Sequence, residues 1–392
     1  MRIALLAPLP PEQTGIADYA AHFRAALTEH GVVVETPLLG CHDAKERCER
    51  MRTIEWRNFS LVHAELGGGR TGEFQALRHL QQCFPALPLT ATVHDPERLV
   101  WRRAQLPWLL RPAEHLPSPF PQAAALLADP WTLREERSLA RGVRRLVTLT
   151  ELGGQRLKQR MHLRPEQLTV IPHGNLTLAQ QPLPPLQPLR LLYFGFIYRG
   201  KGIEDLLDAL ALVLQAQPDL SDKVRLTLAG GTAPDMAFQG HGNYLDQLRQ
   251  RIAERGLSDM VDWLPDLPAA EIAATIQSHH VMVLPYRESR KLAWLGEMRG
   301  TSGALSWANA CGRGVITSDA RAFGEEVISG NGTTYAQGDV AALAAAIAQL
   351  LQKPALAQQW ATRAQCIGQA RGWTQIAGRF AAMFRQVIEE GR

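Results

Sequence analysis

Nine residues near the middle of the chain, QQPLPPLQP at 180–188, contain four prolines. Proline fixes φ and has no backbone N–H, so neither a helix interior nor a central strand runs through such a stretch. The chain must therefore build on either side of it. Both sides repeat one pattern: a short apolar run, a loop rich in glycine or proline, then an amphipathic helix. Before the break, RIALLAPL (2–9), LVHAEL (61–66), LTATVHD (89–95) and RRLVTLT (144–150) read as strands. IADYAAHFRAALTEHG reads as a helix closed by Gly31, and EFQALRHLQQ as another. After the break, LRLLYFGF (189–196), VRLTLAG (224–230), HHVMVLPY (279–286) and GVITSD (314–319) read as strands. IEDLLDALALVLQ, YLDQLRQRIAERG, DVAALAAAIAQLLQ and WTQIAGRFAAMFRQVIEE read as helices. Alternating strands and helices make a parallel sheet covered on both faces. The expectation is an α/β protein with two doubly wound, Rossmann-like domains, 1–179 and 189–372, a linker at 180–188 and a ligand cleft between the domains. Open parallel sheets bind ligands at the C-terminal ends of their strands, so the informative residues should follow the strands.

A length of 392 residues suits two domains. With 46% apolar and 20% charged residues there is material for two cores. No run of about 18 apolar residues occurs, so no transmembrane helix is expected. The opening MRIALLAPLPPEQTG reads as a first strand, not a signal peptide. Cys41, Cys48, Cys83, Cys311 and Cys366 are odd in number and scattered, which fits a reducing cytoplasm. Cys41-His42 with Cys48 lacks a second pair and reads as incidental. A net charge of +4 is too mild to argue for nucleic acid. Within 134–164, however, nine basic residues face three acids. That region reads either as solvated helix faces or as a basic surface for anionic lipid or an acidic acceptor.

GGGRTG follows the strand LVHAEL, and Gly67, Gly69 and Gly72 match GxGxxG. Asp95 ends the next strand, so the set approaches a dinucleotide fingerprint, although it is not on the first strand and a proline follows the acid. The same glycines also fit a turn lining the cleft, or a purely structural turn. In PLPPEQTGIADY (8–19), Gly15 leads into the first helix, whose N–H groups suit an anionic or hydroxylated ligand or simply start a helix. His94 closes the strand LTATVHD and is placed to bond a sugar hydroxyl or to cap the strand. His279 and His280 open a strand at its far end and read as structural. In FGFIYRGKGIEDLL, Arg199 and Lys201 sit in a glycine-flanked loop at a helix start, a plausible diphosphate clamp but not a Walker loop. LAGG (228–231), with Gly230, ends another strand in glycines. GxSxG, HExxH, EF-hand and DxD patterns do not occur, so no metal site and no cofactor are expected.

Together these residues resemble the retaining glycosyltransferases of the GT-B fold, most closely glycosyltransferase family 4, over nearly the whole chain. Gly15 matches the family's N-terminal glycine loop, TVHD (92–95) its strand-end histidine, and VIPHG (170–174) its segment before the linker. Lys201 in GKG sits where the family has its diphosphate lysine. VDWLPDLPAAEI (261–272), with Leu264, resembles the base-holding loop, and EEVISGNG (325–332) the family's E-x-x-x-x-G. The last helix, from Trp373 to the end of the chain at 392, resembles the one that returns to the first domain. There are two departures. Phe196 stands where the family usually has an arginine, a charge Arg199 is placed to supply. Alignment on Ala310-Cys311-Gly312 puts the family's two glutamates at Arg299 and Trp307, so this is a variant without them.

The resemblance implies transfer of a hexose from a nucleotide sugar to a glycan acceptor, lipid-linked, in polysaccharide biosynthesis in the cytoplasm, at the inner face of the membrane. By family habit the donor is GDP-mannose first, then a UDP-sugar of glucose or galactose. His94, Lys201 and Arg199 would be catalytic. Gly15, Gly230, Leu264, Arg299, Ser302, Gly303, Ala304, Leu305 and Trp307 would bind the donor, with the amides at 302–305 turned to its diphosphate. Glu65, Gly67, Gly68 and Asp95 would lie on the acceptor side. The apolar segment 104–122 and the basic 134–164 region would meet acceptor and membrane. Two rivals stay open: a dinucleotide-dependent enzyme using Gly67–Gly72, and a GT-B protein that has lost catalysis and binds glycan.

Overall fold

The computed structural model describes residues 1–41, 43–100, 106–107, 109–231, 244–288, 290–297 and 299–391. His42 and parts of the apolar segment 104–122 (104, 105 and 108) lie outside them. The chain forms two compact units, one of Met1–Gly174, Arg290–Thr301 and Trp373–Arg392, the other of Asn175–Ser289 and Ser302–Gly372.

The first unit runs β1 (Arg2–Leu6), α1 (Gly15–Glu29), β2 (Val33–Glu35), α2 (Ala44–Thr53), β3 (Leu61–Leu66), α3 (Thr71–Cys83), β4 (Leu89–Val93), α4 (Phe120–Gly142), β5 (Arg145–Thr148), α5 (Glu151–Met161) and β6 (Leu168–Val170). Its strands form one sheet in the order β2-β1-β3-β4-β5-β6, every pair parallel. β3 and β4 are buried along their whole length, as strands covered on both faces must be. The polar members of these strands are paired: His63 Nδ1 meets Thr90 Oγ1 at 2.8 Å and Nε2 meets Thr92 Oγ1 at 3.0 Å.

The second unit runs β7 (Leu189–Phe194), α6 (Ile203–Ala216), β8 (Val224–Gly230), α7 (Tyr244–Glu254), β9 (Val261–Pro265), α8 (Ile272–Gln277), β10 (Val281–Leu284), α9 (Gly303–Ala310), β11 (Gly314–Ser318), α10 (Phe323–Val327), β12 (Gly332–Tyr335), α11 (Val340–Gln352) and α12 (Ala355–Ala370). Its sheet order is β12-β11-β10-β7-β8-β9, again all parallel. α13 (Trp373–Glu390) returns to the first unit, burying Ile376, Phe380, Phe384 and Val387. Phe380 meets Phe23 of α1 edge-on with ring centroids 4.6 Å apart. Buried side chains of this size each contribute about 1.5–3 kcal/mol, enough to hold a helix that is far away in sequence.

The change of unit falls between Gly174 and Asn175, so the proline-rich segment 180–188, expected as the linker, is counted with the second unit. Its prolines keep it out of the sheet, yet its carbonyls still need donors. Arg313 supplies them. Its guanidinium, 2% exposed, donates to the carbonyls of Gln181 and Pro182, and to those of Gln277, His279, Cys311 and Gly312. His280 adds a hydrogen bond to the Pro184 carbonyl and accepts the Arg190 N–H, while His279 bonds Thr227 and the Thr275 carbonyl. Both histidines are structural, as their place at a strand start suggested.

Several strands end sooner than the apolar runs do. β7 stops at Phe194 because Gly195 turns to φ 136°, and β1 stops at Leu6, ahead of the prolines. A larger difference concerns residues 290–301, expected in the second domain. They belong to the first unit, where Arg98 and Arg160 donate to the Leu295 carbonyl and Thr150 Oγ1 donates to that of Arg299.

Candidate functional site

In the second sheet the chain leaves β7 for β8 on one side, while β10 lies on the other. The loops after β7 and β10 therefore diverge at the strands' C-terminal ends, which is where open α/β sheets bind ligands. The two loops interlock here. Gly202 has φ 67°, and a Cβ on it would lie 1.7 Å from the Pro285 carbonyl oxygen, so only glycine fits. The residue before it, Lys201, is buried, and its Nζ sits 3.6 Å from the centroid of the Tyr286 ring and 5.1 Å from that of Tyr198. Such a cation–π contact holds an ammonium in place without neutralising it.

Tyr286 also reaches the next element. Its hydroxyl is 3.0 Å from Ser302 Oγ, and burial raises its phenol pKa against the opposing effect of that hydrogen bond. Ser302 is the N-cap residue of α9, but its side chain makes no cap to the helix. Leu305 and Ser306 N–H return to the Ser302 carbonyl, at 3.0 and 3.3 Å. The amides of Gly303 and Ala304 have no partner among the described residues. A buried ammonium and an uncapped helix start thus share one tyrosine. Both favour negative charge, and together they suit a diphosphate.

The expected donor residues divide around this point. Ser302, Gly303, Ala304 and Lys201 are brought together. Leu305 is core by its side chain, and its amide is spent on the turn. Trp307 turns its ring edge to Phe194, with centroids 6.3 Å apart. Arg199, expected beside Lys201, has different partners: it is exposed, lies over the Tyr244 ring at 5.5 Å and donates to Gln247. Gly230, at φ 138°, is required by close packing, since a Cβ there would be 2.0 Å from the Gly195 carbonyl oxygen. Leu264 is half-exposed on β9.

Arg299 lies in the first unit and faces acids. Its Nε is 3.5 Å from Glu97 Oε1, its NH2 group pairs with Glu297, and the Glu297 N–H donates to Glu97 Oε2 at 3.0 Å. Within its unit the Arg299 guanidinium is thus engaged by two carboxylates. Beside it, Gly300 packs so closely that a Cβ would be 2.0 Å from the His94 carbonyl oxygen.

The first sheet has its own switch point between β1 and β3. Gly15 opens α1 there, exposed and with open space where a Cβ would be. Glu65, on β3, is wholly buried. It accepts from His94 Nε2 at 2.7 Å, and His63 Nε2 is 3.3 Å away. Burial alone would raise the Glu65 pKa; the hydrogen bonds and charges of His63 and His94 outweigh it and bring the carboxyl to about 2. The carboxylate fixes the His94 ring, which also meets the Tyr19 ring edge-on at 4.7 Å.

The glycine turn is explained by its neighbours. Asp95 Oδ2 accepts the Gly68 N–H at 2.9 Å, and a Cβ on Gly67 would be 3.1 Å from His94 Cβ. At the start of α3, Arg70 pairs with Glu12 and Glu73. The acid of the dinucleotide-like pattern is used inside the turn, and the helix start is covered by an ion-paired arginine. Among the described residues, no group of His, Cys, Asp or Glu is arranged to hold a metal ion.

Sequence reasoning missed Tyr286. It ends HHVMVLPY, after the strand itself has stopped at Leu284, so the position rule for strand ends applied to it. An aromatic residue in an apolar run read as core instead.

Two parallel doubly wound sheets, with a cation and a bare helix start at the switch point of the second, define the GT-B class of fold. A sucrose-phosphate synthase from Thermosynechococcus elongatus has a TM-score of 0.71 to this chain at 18% identity, covering 100% of both. HepE from Anabaena, solved in complex with UDP-glucose, has a TM-score of 0.66 at 19% identity, covering 98% of this chain and 100% of its own. The family model for glycosyl transferases group 1 matches residues 176–366, which is nearly all of the second unit. That unit is thus the part of the chain similar to the group 1 glycosyl transferases. A D-inositol 3-phosphate glycosyltransferase 1 of Catenulispora acidiphila is 28% identical over 206 residues, 52% of this chain and 45% of its own length. An MMP alpha-(1->4)-mannosyltransferase of Mycolicibacterium hassiacum is 25% identical over 354 residues, 85% of this chain and 76% of its own. The chain thus spans less than half of the first of these relatives and about three quarters of the second.

Proposed function

We propose that the protein is a retaining hexosyltransferase that moves a hexose from a nucleotide-diphosphate sugar to a glycan acceptor. The observation that carries this reading is the meeting of Lys201, Tyr286 and Ser302 at the start of α9, inside the portion matched by the family. In the proposed reaction the bond from the sugar's C1 to the diphosphate oxygen breaks. The acceptor hydroxyl oxygen bonds C1 on the same face. The electron pair leaves with the diphosphate, where Lys201 and the amides of Gly303 and Ala304 stabilise it. The acceptor's proton passes to the leaving diphosphate. Fixed cation and helix start replace a metal in this reading. His94, held by Glu65, is assigned a sugar hydroxyl. Gly67, Gly68 and Asp95 are assigned to the acceptor side.

Mannose from GDP-mannose is the first choice of donor, supported by the relative named a mannosyltransferase. Glucose or galactose from a UDP-sugar comes next, supported by the neighbour bound to UDP-glucose. The acceptor is proposed to be lipid-linked, in polysaccharide biosynthesis at the cytoplasmic face of a membrane. Lys201→Ala tests the assignment: with a panel of nucleotide sugars, transfer should fall by about a hundredfold or more. Near-normal transfer by that variant would sink it.

One observation favours a second reading. Arg299 and Trp307 stand where the family's glutamates align, and neither is acidic. A glycan-binding protein without catalysis would bind nucleotide or glycan yet neither hydrolyse nor transfer any donor in the same panel.

A further inference from the structure

α4 is a 23-residue helix that wears its apolar residues outward. Phe120 is 55% exposed, Leu127 65% and Trp131 66%, and they recur at intervals of seven and four, which place them on one face of a helix. Ala123 and Pro130 are exposed along the same side. Between them, Ala124 and Ala128 are buried in a small cluster with Leu106. Farther along, the outward positions become Arg134, Ser138 and Arg141. The helix has three acids, and each is ion-paired. Glu136 is wholly buried on Arg98, Asp129 pairs with the same arginine, and Glu135 pairs with Arg78. Arg134 and Arg141 make no ion pair among the described residues. The short helix at Arg290–Leu295 packs against α4 and presents Trp294, 87% exposed.

A soluble surface seldom places two nearly bare tryptophans beside an exposed leucine and phenylalanine. A protein partner would be met equally well by apolar residues alone. The ordering here, apolar and aromatic followed by arginines that make no ion pair among the described residues, with the helix's own carboxylates engaged by other arginines, complements a surface that is apolar below and anionic above. No single helix among the described residues is long and apolar enough to cross a membrane.

We infer that the outward face of α4, with Trp294 beside it, is a docking surface for an anionic lipid bilayer: Phe120, Leu127, Trp131 and Trp294 enter the interface and Arg134 and Arg141 meet the headgroups. The inference names the surface that the proposed lipid-linked acceptor would require, and rests on that reading only for its purpose. Docking without insertion past the headgroups makes binding reversible and sensitive to salt.

The test is flotation of the whole protein with vesicles of phosphatidylcholine, with and without phosphatidylglycerol, at low and high salt. Transfer to a soluble acceptor and the solution mass are measured in parallel. Wild type should float with the anionic vesicles and much less with the neutral ones or at high salt. Trp131→Glu should weaken binding by about tenfold or more, and Arg134→Glu should weaken it on anionic vesicles alone. Both substitutions are at exposed positions, and Trp131→Glu should not change transfer to a soluble acceptor. If wild type transfers sugar but stays unbound at low salt, the docking surface is wrong and the enzymatic reading stands. If it floats, but transfers nothing, the enzymatic reading is the one that fails. Flotation unchanged by both variants overturns the inference, as does a dimer in solution that Trp131→Glu dissolves, because a second copy would then cover this face.

Discussion

Tyr286→Phe separates a hydroxyl that tethers Ser302 from a ring that seats Lys201. The phenyl ring keeps its place under the ammonium, so the cation–π contact at 3.6 Å survives. What is lost is the 3.0 Å hydrogen bond to Ser302 Oγ, a net loss of about 1 kcal/mol. Ser302 already has extended N-cap geometry, with φ −132° and ψ 134°, but its side chain does not cap α9. Once released it can turn to the helix start, and a serine N-cap contributes about 1 kcal/mol. The two effects offset each other in folding, so the melting temperature should move by no more than about 2–4 °C. They do not offset in binding. The new cap occupies an amide that the diphosphate needs, and displacing it costs about 1 kcal/mol, roughly a fivefold loss of affinity. Calorimetric titration with UDP and with GDP, alongside thermal unfolding, reads both quantities. Unchanged nucleotide affinity together with a drop in stability beyond that range would refute the reasoning, because the hydroxyl would then be structural only.

Gly300→Ala should act differently. The added Cβ would lie 2.0 Å from the His94 carbonyl oxygen, and overpacking of this kind costs about 1–3 kcal/mol. A melting temperature several degrees lower is expected, with nucleotide binding retained because Ser302–Ala304 belong to the second unit. Glu65→Gln should change the acid dependence of stability. The folded carboxyl lies at about 2 against an ordinary 4.5, so its contribution is fully present above 4.5 and is lost as pH falls toward 2. The gap between wild type and variant should be on the order of 3 kcal/mol near neutrality and close over that window, read by denaturant unfolding at a series of pH values. A gap independent of pH would contradict the Glu65–His94 pairing.

The two sheets were legible because fully buried parallel strands are continuous apolar runs and their helices repeat every three or four residues. β7, β8 and β11 stand out for this reason. The small edge strands β2, β6 and β12 did not, since three or four half-buried residues leave no period to read. Lys201 was found because a cation between two glycines at a helix start is a local pattern. Tyr286 was not, because its role comes from two partners, Lys201 and Ser302, that are 85 and 16 residues away. The course of Arg299 was equally hidden. Its neighbours Glu97 and Glu297 and the seat of Gly300 against His94 depend on where residues 290–301 pack, and no spacing in the sequence records that. The proline-rich break was seen, but not the donor that captures its carbonyls, because Arg313 lies well over a hundred residues further on.

The central claim is that the donor's diphosphate sits at the start of α9 under Lys201. A crystal structure with the nucleotide diphosphate that the protein binds tests it directly. The diphosphate oxygens should lie within hydrogen-bonding distance of Lys201 Nζ and of the Gly303 and Ala304 amides. A diphosphate seated instead on the turn at Gly67–Gly72 would contradict the account.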